Sequence, residues 1–403
     1  MIDLELTNVA HGGEAVGRLD GKAYFVDGAM PGERVRGVVT KDAGSWARVE
    51  LREVATASPH RVEPPCPLFG ACGGCQWQFA DYPSQLEWKR GILTGQLAHL
   101  GRVDRPPVRA TVAVGAPFGY RNRADFQVAG GRPALSRRRS HLLQPIDRCL
   151  LLHPALADPA SRFGDLGDAM ALTLRVATTT GACLAVIDGP VPPQASGWGC
   201  DVVQRHQHEL IPVVGSGSIV ETVAGVAFRI TGDAFFQNNT AGAETLVALV
   251  AEALSPGPGE TLLDAYAGGG LFGLTVGRGA ARVVAVESDP GAADDLRHNA
   301  ASAPVPVRVI EGTVEASLPH LETRWDLAVV DPPRTGLGAG EARAVLAGRP
   351  RAIAYVSCDP ASLARDTGIL IEAGYHLDWA APVDLFPQTF HVETVAAFTA
   401  RRL

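Results

Sequence analysis

Strand-like and helix-like segments alternate from residue 240 to residue 357, and no other feature limits the fold as strongly. A helical segment (TAGAETLVALVAEAL) leads into strand TLLDAY, a glycine-rich turn with a helix, and strand RVVAVE. Helix AADDLRHNAA, strand VRVI, strand DLAVVD, helix EARAVL and strand AIAYVS follow. Parallel neighbours need a crossover, and the intervening helices supply one, so the spacing predicts an α/β domain with a doubly wound, mostly parallel sheet. Ligands of such sheets bind outside the carboxyl ends of the strands. The residues that end these strands are therefore the ones to read for chemistry.

The rest of the chain has a different grain. Residues 1–55 carry short runs alternating apolar and polar residues (AYFV, RVRGVV, ARVEL), broken by GG, DG, PG and AG pairs, which reads as a small antiparallel β-barrel. The proline-containing stretch ASPHRVEPPCP marks a linker. A helical period then runs through SQLEWKRGILTGQLAHLG to Gly101, followed by β-like pieces such as RADFQVAG and ACLAVID. The expected organisation is a barrel over 1–57, a central α+β domain over 58–234 and the α/β domain over 235–403.

The net charge of −7 conceals an asymmetry: residues 1–150 carry 20 Lys and Arg against 15 Asp and Glu, the remainder 16 against 28. A positive N-terminal part points toward a polyanion. No apolar run approaches the roughly 18 residues of a membrane span, and acids stand where a signal peptide needs a basic start. A cytoplasmic protein acting as a monomer, with no membrane partner, is expected.

Four strand ends carry chemistry. Asp264-Ala265-Tyr266-Ala267-Gly268-Gly269-Gly270-Leu271-Phe272-Gly273 fits G-x-G-x-x-G at Gly268, Gly270 and Gly273, and Glu287 ends the next strand, where an acid can accept from ribose hydroxyls. This pattern alone serves a dinucleotide or S-adenosylmethionine equally. Asp331-Pro332-Pro333-Arg334 ends strand DLAVVD and suits a methyltransferase holding a planar base. Ser357-Cys358-Asp359-Pro360 ends AIAYVS, where helix N-termini are expected to favour the thiolate of a nucleophilic Cys358. Glu393, in PQTFHVE, adds a carboxylate. A thiol and a separate acid are what methylation at C5 of a pyrimidine requires. C5 becomes nucleophilic only after addition at C6, and the C5 proton must later be removed.

Cysteines form a second pattern. Cys66, Cys72 and Cys75 have C-x5-C-x2-C spacing, and Cys149 lies further on. Four thiolates can hold a [4Fe–4S] cluster or a structural zinc. Zinc favours paired C-x2-C units, and Cys149 has no close partner. Cys183 and Cys200 are expected to be ordinary core or loop thiols, disulfides being disfavoured in a cytoplasmic chain.

FFQNN at 235–239, DAYAGGG at 264–270, DPPR at 331–334, SCDP at 357–360 and HVET at 391–394, in this order, resemble the RNA 5-methyluridine methyltransferases over nearly the whole chain. The resemblance implies a Rossmann-like S-adenosylmethionine-dependent domain, with Cys358 as nucleophile and Glu393 as base. It further implies that Gln237, Tyr266, Gly268, Gly270, Glu287 and Asp331 line the cofactor site. Cys66, Cys72, Cys75 and Cys149 would then hold a [4Fe–4S] cluster. Residues 1–55 look like a TRAM domain, an OB-like RNA-binding barrel, with Arg34, Arg36, Lys41, Trp46 and Arg48 as candidates for its RNA face. Tyr120-Arg121-Asn122-Arg123 and Arg137-Arg138-Arg139 are further phosphate candidates. The implied substrate is a uridine in structured RNA, 23S ribosomal RNA ahead of transfer RNA. A non-catalytic RNA-binding protein with a degenerate domain is the alternative. Leu271 departs from the family, which often has a polar residue there.

Overall fold

The computed structural model describes residues 1–207, 209–232 and 234–401. Strands β1 (Ile2–Val9), β2 (Ala15–Leu19), β3 (Lys22–Val26), β4 (Arg34–Asp42) and β5 (Trp46–Thr56) close into a barrel in the order β1-β2-β3-β5-β4. Alternation with period two sends Leu4, Leu6, Val35 and Val49 inward, and closure removes the exposed strand edges. Buried Glu33 accepts from both Arg61 Nε (2.6 Å) and Nη2 (2.8 Å), which ties the barrel to the linker that follows.

Helix α1 (Tyr82–His99) begins where the Asp81 side chain accepts from the Ser84 amide. Strand β6 (Val112–Ala113) comes next. A seven-stranded sheet is then built from β7 (Arg123–Ala129), β8 (Arg132–Ser136), β9 (Leu143–Pro145), β10 (Ala171–Val176), β11 (Cys183–Asp188), β12 (Asp201–His206) and β13 (Glu209–Val214), with the short helix α2 (Pro159–Phe163) between β9 and β10. Its order is β13-β12-β11-β10-β7-β8-β9, antiparallel except for the β11–β12 pair. Cys183 and Cys200 are buried in its core, but they are not free thiols as expected: a disulfide joins them. Parallel pairing of β11 with β12 sets Leu184 against Asp201 and so brings the two preceding cysteines together. A hairpin of β14 (Ser218–Val223) and β15 (Val226–Thr231) leads onward.

The last region holds α3 (Thr240–Leu254), β16 (Thr261–Ala265), α4 (Leu271–Thr275), β17 (Arg282–Glu287), α5 (Pro290–Ala300), β18 (Val307–Glu311), α6 (Val314–Ser317), β19 (Leu327–Val330), α7 (Ala339–Ala347), β20 (Ala352–Ser357), α8 (Pro360–Glu372), β21 (Tyr375–Asp384) and β22 (Glu393–Ala400). The sheet order is β18-β17-β16-β19-β20-β22-β21-β6. The five strands from β18 to β20 in this order are parallel, as the alternation predicted. β22 lies antiparallel between β20 and β21. Leu262, Val283 and Val329 face one apolar layer with α3, while Leu263, Val284 and Val330 face another with α8. Burial on both faces explains the unbroken apolar runs of these strands. Strand order reverses between β16 and β19, and that switch point locates the ligand crevice.

α1 and β6 come from the middle of the chain yet join this sheet: β6 pairs with β21, and Leu93 and Leu97 enter the α8-side layer. Lys89 of α1 meets Asp384 of β21 at 2.5 Å, both side chains fully buried. Among the described residues, no helix is long and apolar enough to cross a membrane.

Removing one partner of this buried pair leaves an uncompensated charge. Lys89→Met should therefore destabilise the fold by about 3–5 kcal/mol in urea unfolding, and Lys89→Met with Asp384→Leu should recover most of that loss. Additive losses in the double variant would contradict the pairing.

Candidate functional site

The loop between β16 and α4 opens the crevice. Asp264 is fully buried, and its Oδ2 accepts from the Gly273 amide at 2.6 Å. A Cβ at position 273 would lie 2.8 Å from that same oxygen, so only glycine lets the carboxylate reach the backbone. Gly270 has φ +97°, and a Cβ there would meet Leu296 at 2.6 Å. These two glycines serve strand–helix packing, as the motif requires. Asp264 Oδ1 is buried with no hydrogen-bond partner. Burial, then the neighbouring acids Asp331 and Glu287, push this carboxyl up to about 7, against the Gly273 bond.

Glu287 ends β17 and spans the loop, its Oε2 accepting from Gly268 (2.7 Å) and its Oε1 from Asp289 (2.7 Å). Each oxygen retains a second acceptor site. Tyr266 sits half-buried in the loop at φ +64°. Gln237 is buried ahead of α3, its carbonyl accepting from Asn122 (3.3 Å). Its neighbour Phe236 shares an apolar cluster with Ala267 and Leu271. Tyr266, Gly268, Gly270, Glu287 and Asp331 thus gather at the carboxyl ends of β16, β17 and β19. Gln237 joins them through its neighbour.

Cys358 and Glu393 come together through strand register. Ser357 of β20 pairs with Thr394 of β22, so the next step sets Cys358 against Glu393. Glu393 is 4% exposed, and its carboxyl is held well above the usual range by burial and by Asp331, with Arg334 opposing. Burial also raises Asp331, up to about 7.

The expected thiolate is not favoured at Cys358. Burial, then Glu393 and Asp331, push the thiol up to about 11, against Arg334, which hydrogen-bonds to it. Asp359 caps α8, its Oδ1 accepting from Ala361 (3.0 Å) and Ser362 (2.7 Å), so those donors are taken. His11 from the barrel stands 3.3 Å from Asp359 and, first among several contacts, holds that carboxyl down at about 2. His391 is lowered to about 4 by burial and then by Arg334, Lys89, Arg121 and His11.

Cys66, Cys72, Cys75 and Cys149 converge on one cavity of about 150 Å³ whose wall also includes Phe126, Ile146 and Arg121. Burial raises the thiols of Cys72 and Cys149, and that of Cys75 to about 12. Among the described residues no three His, Cys, Asp or Glu side chains are grouped so as to hold a metal ion, so the expected metal centre is not shown.

The expected RNA contacts are rearranged. Lys41 and Arg48 are cross-strand partners flanking Trp46, at 5.2 and 5.8 Å from its ring, with Arg48 also paired to Glu14, and Arg34 and Arg36 pair with Asp3 further along β4. Arg138 pairs with Asp27, and Arg139 with Glu14 and Asp27, so these two clamp the barrel to the central region. Asn122 is buried, and the Tyr120 hydroxyl donates to the Pro387 carbonyl at 3.1 Å. Gln85 and Gln388, a buried amide pair behind Glu393, escaped sequence reasoning, because nothing local marks a contact 303 residues apart.

A raised thiol reacts slowly until it ionises. Alkylation of the Cys358 peptide by iodoacetamide should climb about tenfold per pH unit toward a midpoint of about 11. Glu393→Gln should lower the midpoint and Arg334→Ala raise it. A midpoint below 9 in the unaltered protein would contradict this balance.

The family model described as conserved hypothetical protein 95 matches residues 244–343. An uncharacterized RNA methyltransferase of Gloeobacter violaceus is 36% identical, over 98% of this chain and 95% of its own. One from Streptomyces avermitilis is 34% identical, over 98% and 97%. Among solved structures, the tRNA (uracil-54, C5)-methyltransferase of Pyrococcus abyssi, in complex with S-adenosyl-L-homocysteine, has the same fold. Its TM-score is 0.79 at 24% identity, over 99% of this chain and 100% of that one. The extent and level of identity to the bacterial relatives establish that the chain belongs to the RNA methyltransferase family.

Proposed function

We propose that the protein methylates C5 of a uridine in structured RNA, with S-adenosylmethionine as donor. The observation that carries this reading is the β20–β22 register, which sets a thiol and a buried acid side by side at the carboxyl edge of the sheet. Glu287 is the acceptor for the ribose hydroxyls, and Gln237, Tyr266 and Asp331 line the remainder of the donor site, with Gly268 and Gly270 shaping its loop. The unpartnered Asp264 oxygen supports a polar ligand in that crevice. When bound, the donor supplies an electrophilic methyl group.

Cys358 gives up its proton to solvent, Arg334 opposing the acids beside the thiolate, and its sulfur adds to C6 of the uracil, which gives C5 enolate character. C5 then takes the methyl group as the S–CH3 bond of the donor breaks, leaving S-adenosylhomocysteine. Glu393 removes the C5 proton, the C6–S bond breaks, and the ring regains its double bond. A C5–H bond is replaced by a C5–CH3 bond, with net release of one proton. Because burial holds this carboxyl in its protonated form, Glu393 must first release its own proton to solvent before it takes the one from C5. The uridine must leave its stack to reach both groups. The Trp46 group on the barrel offers a stacking and phosphate-binding surface. Within structured RNA, 23S ribosomal RNA is the first substrate of this reading and transfer RNA the second.

The reading includes a [4Fe–4S] cluster on Cys66, Cys72, Cys75 and Cys149. Its support is their convergence on one cavity from positions as distant in the chain as Cys66 and Cys149. Cys66, Cys72, Cys75 and Cys149 would hold such a cluster through their thiolates.

The two roles separate experimentally. Cys358→Ala should abolish both methyl transfer and adduct formation. Glu393→Gln should accumulate a methylated enzyme–RNA adduct that survives denaturing electrophoresis and carries label from a tritiated donor. Transcripts of 23S ribosomal RNA and of transfer RNA, assayed side by side, decide the substrate. Full turnover by Glu393→Gln would refute the assignment. For the cluster, anaerobically purified protein should contain about four iron per chain, and Cys66→Ser or Cys149→Ser should lose it. Stoichiometric zinc without iron would reject the cluster.

A further inference from the structure

Glu393 begins β22 directly after the loop 385–392, and that loop is held by residues from the first third of the chain. The Gln85 side chain of α1, fully buried, accepts from the Gln388 amide at 3.0 Å and donates to Gln388 Oε1 at 3.1 Å. The same amide group donates to the carbonyls of Trp77 (3.2 Å) and Ala80 (3.0 Å). The Gln388 carbonyl in turn accepts from the amides of Gln76 (3.0 Å) and Trp77 (3.1 Å). Tyr120 and Lys89 hold the carbonyls of Pro387 and Phe386, each at 3.1 Å.

Gln388 is 4% exposed and has φ +69°, a left-handed conformation that a residue other than glycine keeps only when its surroundings impose it. Here its amide, carbonyl and side chain are all engaged. Gln76 and Trp77 directly follow Cys75, so one segment both lines the cysteine cavity and grips the loop. The barrel adds one more contact, since Trp77 Nε1 donates to the Gly13 carbonyl at 3.1 Å.

We propose that Gln85 is a positioning residue for proton removal: through Gln388 it fixes the loop that delivers Glu393, and it anchors that loop to the cysteine-bearing segment. The proposal rests on the reading of Glu393 as the base. It predicts a selective defect. Donor binding, C6 addition and methyl transfer use Glu287, Cys358 and Arg334, which stand at the ends of other strands, so a slack loop delays only the step that follows them.

The test uses the full-length protein. Gln85→Leu should bind S-adenosylmethionine with unchanged Kd by calorimetry and should form the methylated adduct at the normal rate. Its turnover should fall about 10–100-fold, the scale expected for a displacement of order 1 Å. The labelled, denaturation-resistant adduct should accumulate as it does for Glu393→Gln. Gln388→Gly, which tolerates the left-handed backbone but loses the side-chain acceptor, should show the same defect to a smaller degree. Wild-type turnover in both variants overturns the proposal. So does a fall in turnover without adduct, and so does loss of folded, donor-binding protein in both, which would make the contact a folding determinant. If the unaltered protein forms no methylated uridine at all, the functional reading fails instead, and the two failures are thereby distinct.

Discussion

Everything at the site depends on one strand running the wrong way. β22 is the last strand in the chain, yet it enters the sheet between β20 and β21, antiparallel to β20. In a parallel sheet only the carboxyl ends of the strands open onto the crevice. An antiparallel strand brings its amino end to that edge, so Glu393, the first residue of β22, faces Cys358, the residue that follows β20. A parallel β22 would have carried the acid to the opposite edge of the sheet. The loop from β21 to β22 must therefore turn at the crevice, which is why it needs support from outside the sheet.

The electrostatics follow from crowding acids into that edge. Asp264 and Asp331 are pushed up to about 7, chiefly by burial, and Glu393 well above its usual range. An acid whose pKa is raised on folding weakens the fold as pH climbs from its unfolded value, about 4, through its folded value. For Asp264 and Asp331 that penalty is complete above about 7. Asp359 has the opposite sign: held down at about 2, it contributes fully above about 4 and is lost as pH falls toward 2. Arg334 is the cation common to Cys358, Glu393 and His391, lowering the pKa of each. Mild acid thus relieves the crevice while sparing the α8 cap.

The barrel and the central region act as scaffolding as much as appendages. His11 reaches Asp359, and Arg138 and Arg139 hold Asp27 and Glu14. The positive charge of the N-terminal part is partly consumed by these internal pairs. Charge count therefore overstates the free cationic surface, and Arg48 beside Trp46 is itself paired with Glu14.

Sequence alone determined the layers and the candidate residues. Strand–helix alternation specifies a parallel sheet because crossover connections are local, and period-two burial specifies a barrel because each strand carries its own pattern. The Gly268, Gly270 and Gly273 pattern and Glu287 at its strand end were legible for the same reason, since they lie within one βαβ unit, whereas the bond from Gly273 to Asp264 appears only in the structure. Tertiary structure decided the rest. The thiol–acid contact, the Gln85–Gln388 pair, the Lys89–Asp384 ion pair and the Cys183–Cys200 disulfide all depend on strand order, direction and register. The Cys358 thiol shifts the opposite way from the expected thiolate because burial comes first and the acids Glu393 and Asp331 add to it, and that environment is assembled by the fold rather than by the local sequence. Local pattern carries propensity and chemistry, whereas long-range register is set by which buried faces and polar groups find partners across the whole chain.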